Sequence, residues 1–160
     1  MISAIFAVDD KGGMAKGGVI PWPYNKDDMT WFKNVTQKQV VVMGRKSWES
    51  PDMIKPLPNR HNVVFTNNFF EQDDIDQIRG DVCDGLMAVE QKYPDKNVFV
   101  IGGADLLVKA KPVIKTVYVT RIAGDFDCDT RIDIDEFLKG FELTSEYDLG
   151  SCVIGQYVSI

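Results

Sequence analysis

At 160 residues, 44% apolar and 26% charged, the chain has the size and composition of one globular domain that can bury a core without disulfides or metal. A net charge of −6 with no basic block argues against a partner held by its phosphate backbone, so no nucleic-acid partner is expected. Three scattered cysteines (Cys83, Cys128, Cys152) and a single histidine, His61, show no zinc-site spacing, exclude a histidine-based triad or a multi-histidine metal site within one chain, and suit reduced thiols in a cytoplasmic setting.

Ile2 to Val8 is an apolar run suited to a strand buried on both faces, without the basic leader of a signal peptide. No stretch approaches membrane-spanning length. From Asp9 to Gly18, the glycines Gly12, Gly13, Gly17 and Gly18 stand among charges. This is either a surface loop or a hinged flap leading into Ile20-Pro21-Trp22.

Asn25 then offers a side-chain oxygen suited to capping a helix. Along that helix Asp28, Trp31, Phe32 and Val35 follow at i, i+3, i+4 and i+7, the spacing of one face. A carboxylate thus stands where a hydrophobe is normal. Either it closes a capping box with Asn25 and suits the helix dipole, or it is an acid held against aromatic rings. Such an acid is costly to ionise and needs a partner or a task. Asp27, whose neighbours Thr30 and Asn34 form a solvated face, serves the dipole equally well.

Gln39 to Met43 reads as a second buried strand, followed at once by Gly44-Arg45-Lys46-Ser47. Backbone N–H groups and cations can converge on an anion there, or the charges simply lie on the surface. Pro51 to Asn59 is a proline-rich loop. His61 to Thr66 is a third strand, with Thr66-Asn67 as polar groups at its end or merely its turn. Arg60, just before it, reads from composition as surface charge.

A short strand is expected near Ile75 to Ile78, and a helix from Cys83 to Tyr93 stopped by Pro94. Val98 to Ile101 runs into Gly102-Gly103 ahead of a helix from about Ala104 to Ala110. The glycine pair lets the backbone approach a phosphate, or makes a tight turn. Ile114 to Ile122 is a long strand. Phe141 to Tyr147 and Cys152 to Ser159, joined through Leu149-Gly150, form an antiparallel hairpin.

Strands alternating with helices imply a three-layer α/β/α architecture. Its sheet would be mostly parallel, about eight-stranded, and closed by that C-terminal hairpin. Residues 1–160 read as one domain, with ligands at the carboxyl ends of the strands. The flap, the Asp28 helix and the two glycine turns would gather at that rim.

In order and spacing, Met1-Ile2-Ser3 with Ala7, Ile20-Pro21-Trp22, Asp28 ahead of Trp31-Phe32-Lys33, and Met43 to Ser50 resemble the dihydrofolate reductase family. So do Pro56-Leu57-Pro58-Asn59-Arg60, Val100-Ile101-Gly102-Gly103, Tyr118-Val119-Thr120 and Asp129-Thr130. The resemblance implies NADPH-dependent reduction of 7,8-dihydrofolate to tetrahydrofolate, with hydride added at C6 and protonation at N5 promoted by Asp28. It further implies a monomer without metal or membrane attachment, serving one-carbon and thymidylate metabolism.

By the same resemblance, Trp22 and Thr120 support Asp28. Ile5, Ala7, Ile20, Phe32, Leu57, Ile101 and either Met53 or Ile54 wall the substrate and nicotinamide pocket, and Arg60 grips the glutamate α-carboxylate. Arg45 with Asn67 faces the 2′-phosphate. Gly44, Lys46, Ser47, Thr66, Gly102, Gly103, Ala104, Asp105, Leu106 and Leu107 complete the cofactor set. The chain departs from the family at Ala15, Gly18, Asn67 and Leu107, and its Pro51 to Lys55 loop is longer. A related reductase acting on a pyrimidine or another pterin would lack Pro21-Trp22 and the Asp28-to-Phe32 pattern. A non-catalytic pterin- or nucleotide-binding protein would not need the carboxylate.

Overall fold

Unbroken apolar runs build the middle of the main sheet in the computed structural model, which describes residues 1–160. In chain order the first elements are β1 (Ile2–Val8), β2 (Gly13–Ala15), α1 (Lys26–Thr36), β3 (Val40–Gly44), α2 (Arg45–Trp48), β4 (His61–Phe65) and β5 (Ile75–Ile78). Then come α3 (Val82–Lys92), β6 (Val98–Gly102), α4 (Ala104–Ala110), β7 (Thr116–Arg121) and β8 (Thr130–Arg131). The chain ends with α5 (Ile134–Phe137), β9 (Phe141–Asp148) and β10 (Val153–Ser159).

The eight-stranded sheet has the order β5-β4-β3-β6-β1-β7-β10-β9. Neighbours are parallel from β5 through β7, and β10 joins β7 and β9 antiparallel. The C-terminal hairpin is thus the antiparallel edge of the main sheet. No helix is long and apolar enough to cross a membrane.

The two-residue period of a strand divides this sheet cleanly. Ala4, Phe6 and Val8, with Val40, Val42, Val63, Val98, Val100, Val117 and Val119, face one side. There they pack with Leu86 and Val89 of α3 and Leu106, Leu107 and Ala110 of α4. Ile5, Val41, Met43, Val64 and Phe99 face the other side, under Trp31, Phe32 and Val35 of α1 and Trp48 of α2. Register carries the alternation across strands: Ile5 pairs with Tyr118 and Ala7 with Thr120, so all four share the α1 side.

Differences from the sequence reading are local. Helix α3 begins at Val82, because Asp81 is its cap and accepts the Asp84 N–H at 2.9 Å. A 3₁₀ turn at Lys111–Val113 containing Pro112 delays β7 to Thr116. Strands β2 and β8 form a separate antiparallel pair, too short and too glycine-rich to show a strand period.

That pair is anchored by Asp9, the first residue after β1 and only 3% exposed. Its Oδ1 accepts the N–H groups of Lys11 at 2.9 Å and Gly13 at 2.7 Å. Its Oδ2 accepts the Phe126 N–H at 3.1 Å and the Cys128 thiol at 3.5 Å. Burial acts to raise the carboxyl's pKa, but the bonds from Phe126, Gly13, Lys11 and Cys128 together outweigh it and hold the group below its ordinary value.

Asp9→Ala removes the acceptor of three backbone donors, that of Gly13 buried and those of Lys11 and Phe126 partly so, and is expected to cost about 3 kcal/mol in urea denaturation. Asp9→Asn, which keeps an acceptor oxygen, should lose less. Because the folded-state shift is downward, the parent's Asp9 contribution is complete above about pH 4 and fades only as pH falls through the depressed value.

Candidate active site

Helix α1 starts where Asn25 accepts the Asp28 N–H at 2.9 Å. One half of a capping box is therefore present, but the Asp28 carboxylate does not complete it. The acid turns instead toward β7, where Oδ1 accepts the Thr120 hydroxyl at 2.7 Å. Asp28 is 6% exposed. Burial pushes its pKa above the ordinary aspartate value, and the Thr120 bond only partly opposes this.

Asp27 lies exposed on the neighbouring face and accepts the Ser151 hydroxyl at 2.7 Å. The adjacent Cys152 is buried; desolvation and the nearby Asp28 charge push its thiol up, leaving it protonated and inert at neutral pH.

The surroundings of Asp28 are apolar and aromatic. Trp31 meets Tyr118 and Tyr147 at ring separations of 6.2 and 5.4 Å, and its buried indole N–H has no partner. Trp22 is buried against Ile122 and Cys152, next to Ala7, and lies edge-on to Phe126 at 5.8 Å. Ile5 is buried, while Phe32, Leu57 and Ile101 are half-buried over the same side of the sheet. Met53 packs there too, whereas Ile54 is 71% exposed, so the loop turns Met53 inward. Ile20 stands 47% exposed in the flap.

Arg60 is half-buried beneath α1. It donates to the Pro58 carbonyl at 2.9 Å and to the Thr36 hydroxyl at 3.2 Å, and lies 5.8 Å from the Phe32 ring centre. Burial lowers its pKa, and no carboxylate reaches it.

At the carboxyl ends of β3 and β6 the two glycine turns meet. A methyl on Gly102 would lie 3.8 Å from Ser47 Oγ and 3.9 Å from Met14 Cε, and one on Gly44 3.9 Å from the Gly102 carbonyl. Gly102 also has φ +133°, so only glycine sits there without strain. Arg45 donates to Thr66 Oγ1 at 3.1 Å and the Asn68 carbonyl at 3.0 Å, and lies 4.0 Å over the Phe70 ring. Its Nε is buried without a hydrogen bond, 3.5 Å from Glu49.

Several expected cofactor residues lie elsewhere. Leu106 and Leu107 are 7% and 0% exposed within the core on the opposite side of the sheet, because helical periodicity turns them onto α3. Asp105 points outward and pairs with Lys109 at 3.0 Å. Asn67 is exposed, and the backbone of Asn68 takes its place beside Arg45. Ala104 is half-buried and Lys46 exposed.

The flap is held on two sides. Gly17 N–H donates to Asp129 at 2.9 Å, Ile20 N–H donates to Asp52 at 3.0 Å, and Ser50 Oγ donates to the Gly18 carbonyl at 2.9 Å. Sequence reasoning passed over Tyr118, whose signal was its two-residue spacing from Thr120. It also passed over Phe70, Asn68 and the anchoring role of Asp9, an acid placed directly after a buried strand.

The family model described as dihydrofolate reductase matches residues 1–149. Among curated relatives, dihydrofolate reductase of Schistosoma mansoni is 35% identical, covering 86% of this chain and 82% of that protein. The Bacillus subtilis enzyme is also 35% identical, covering 81% and 73% respectively. Among solved structures, dihydrofolate reductase from Enterococcus faecalis, complexed with NADP(H) and RAB-propyl, superposes with a TM-score of 0.86. That match has 25% identity and covers 99% of this chain and 96% of the other.

Two outcomes follow from the site geometry. Asp28 binds its proton more tightly when folded than unfolded, so its ionisation costs stability as pH rises through the folded value and costs nothing below about pH 4. Asp28→Asn should therefore unfold at higher urea concentration than the parent at neutral pH, with the margin vanishing in acid. Leu107→Ala should lose about 2–5 kcal/mol of stability while its NADPH affinity, measured by fluorescence, stays near that of the parent.

Proposed function

The chain belongs to the dihydrofolate reductase family, and we propose that Asp28 is the carboxylate around which its NADPH-dependent reduction of 7,8-dihydrofolate is organised. The observation that carries this reading is a buried acid bonded by a single hydroxyl, that of Thr120 at 2.7 Å. A carboxylate with one short bond keeps acceptor capacity for an incoming N–H pair. Its raised pKa also suits it to hold a proton nearer neutral pH than an exposed aspartate does.

When bound, NADPH supplies the hydride that adds to C6 of the pterin, while N5 gains a proton and tetrahydrofolate results. The residues of this chain fit that cofactor. The glycine surfaces at Gly44, Gly102 and Gly103 leave room beside Ser47 for a phosphate to approach the backbone. Arg45, placed beside Thr66, supplies the cation for a 2′-phosphate, and Lys46 adds a second charge.

Asp28 orients the pterin and promotes protonation at N5. Trp22 and Thr120 fix the polar surroundings of that carboxylate. Ile5, Ala7, Phe32, Met53, Leu57 and Ile101 form walls that exclude water, which strengthens every charge interaction inside. Ile20, in the tied flap, covers the rim. Arg60 holds the substrate's α-carboxylate through a charge-assisted pair. Residues 1–160 act as a single domain and a monomer in the cytoplasm, supplying one-carbon and thymidylate metabolism.

The test is the decay of NADPH absorbance on addition of dihydrofolate. Asp28→Asn is expected to keep NADPH binding and lose about 10²–10⁴ in turnover; near-parental rates would remove Asp28 from the chemistry. Arg60→Ala should raise KM for dihydrofolate by roughly 10- to 100-fold with kcat little changed. Unchanged NADPH absorbance with the parent would instead favour a related reductase or a binding protein.

A further inference from the structure

The row of side chains that carries the Asp28 site does not end at Thr120. Register continues it outward across the C-terminal hairpin: Ala7 pairs with Thr120, Thr120 with Ile154, and Ile154 with Tyr147. Directly paired residues share a face of the sheet, so Ile154 and Tyr147 lie on the α1 side with the hydroxyl that bonds Asp28. Ile154 is fully buried in this row, and Tyr147 stands at its solvent end. There its ring meets Trp31, which follows Asp28 by about one helical turn, at 5.4 Å and a tilt of 40°.

The aim of Tyr147 is set by an irregularity, not by strand period. Alternation alone would place Phe141, Leu143, Ser145 and Tyr147 on one face. Phe141, and Tyr157 opposite Leu143, instead pack on the α3 and α4 side. The register shifts between Gln156 and Tyr157, leaving Thr144 without an opposite residue, and the Thr144 hydroxyl donates to the Gln156 carbonyl at 3.2 Å. A bulge of this kind re-aims the side chains beyond it. Here it turns Tyr147 onto α1.

Trp31 depends on such contacts. Its buried indole N–H makes no hydrogen bond, so packing alone fixes the ring, between Tyr147 of β9 and Tyr118 of β7. The titratable groups facing this region are Asp27 of α1, Tyr118 of β7, Tyr147 of β9 and Cys152, on whose thiol the charges of Asp28, Asp27 and Asp148 all act. No cation acts on Asp28: exclusion of water raises its affinity for a proton, and the Thr120 bond alone opposes this.

We propose that Tyr147 is a positioning residue for the reduction, fixing α1 over the sheet through Trp31 and sealing the hairpin side of Asp28 against solvent. The inference rests on the reading of Asp28 given above. Removing the ring opens the row from Tyr147 through Ile154 to Thr120 to water, which weakens desolvation and lowers the acid's hold on a proton.

The experiment measures kcat against pH, with NADPH affinity beside it, for the parent, Tyr147→Ala and Tyr147→Phe. In Tyr147→Ala the alkaline fall of kcat should move to lower pH by roughly 0.5–1 unit. Above that limb, turnover should drop by about 3- to 10-fold. Tyr147→Phe keeps the ring and should restore the parental profile, and NADPH affinity should be parental in both. A Tyr147→Ala profile superposable on the parent's would overturn the proposal, as would a Tyr147→Phe enzyme equally impaired. A double-mutant cycle separates positioning from general loosening. In an Asp28→Asn background Tyr147→Ala should cost no further turnover, and the same loss in both backgrounds would sink the coupling. Tyr147→Leu, which keeps bulk without the ring, serves if the alanine variant does not fold; a smaller displacement of the limb is expected, and none overturns the role. Near-parental turnover in Asp28→Asn itself would remove the reading of Asp28, an outcome distinct from loss of the Tyr147 effect.

Discussion

A carboxylate shielded from water and bonded to one hydroxyl, Asp28 to Thr120 at 2.7 Å, is the constraint that the surrounding structure is arranged to hold. Burial makes the ionised acid expensive, so its position must be enforced by packing more favourable than that cost. Asn25 fixes the start of α1, and Trp31, Phe32 and Val35 bury its apolar stripe on the sheet. The registered pair of Ala7 and Thr120 sets the hydroxyl under the acid. If β7 slipped by one residue, Thr120 would face the opposite side of the sheet.

The strand order explains why other chemistry collects near this acid. The chain leaves β1 for β3, β4 and β5 on one side, then returns through β6 into the gap between β3 and β1 before crossing to β7. That insertion brings the end of β6, with Gly102-Gly103, against the end of β3, with Gly44 and Ser47. Two phosphate-compatible turns from distant stretches thereby become neighbours, and the flap reaches them through Met14. Open α/β sheets place ligand crevices at such reversals.

Much of this was legible because buried parallel strands have strong signals. Val40-Val41-Val42 and Val98-Phe99-Val100 have no polar alternation, and the helix at Asn25 carries both its cap and its stripe. What stayed hidden were features created only by tertiary contact. Strand β8 is two residues long and exists because Gly13 and Ala15 lie beside it. Leu106 and Leu107 look identical in sequence to pocket-lining residues, and only the placement of α3 turns them into core. Asn67 and Asn68 cannot be told apart by composition; the backbone turn decides that the Asn68 carbonyl meets Arg45. Met53 and Ile54 were ambiguous for the same reason.

The distribution of charge makes a coherent electrostatic design out of an acidic protein. A net charge of −6 repels an anionic substrate at long range, within the reach set by salt screening. The ion pairs neutralise cations chiefly away from the cleft: Lys92 with Asp76, Lys109 with Asp105, and Lys139 with Glu136. Arg60 is left without a carboxylate, and Arg45 has only Glu49 at 3.5 Å. These two guanidiniums flank the Asp28 side of the sheet, one below α1 and one beside β4. Because every unpaired cation counts for more against an acidic background, selectivity for where an anion docks arises from withholding acids at a few positions, not from accumulating bases.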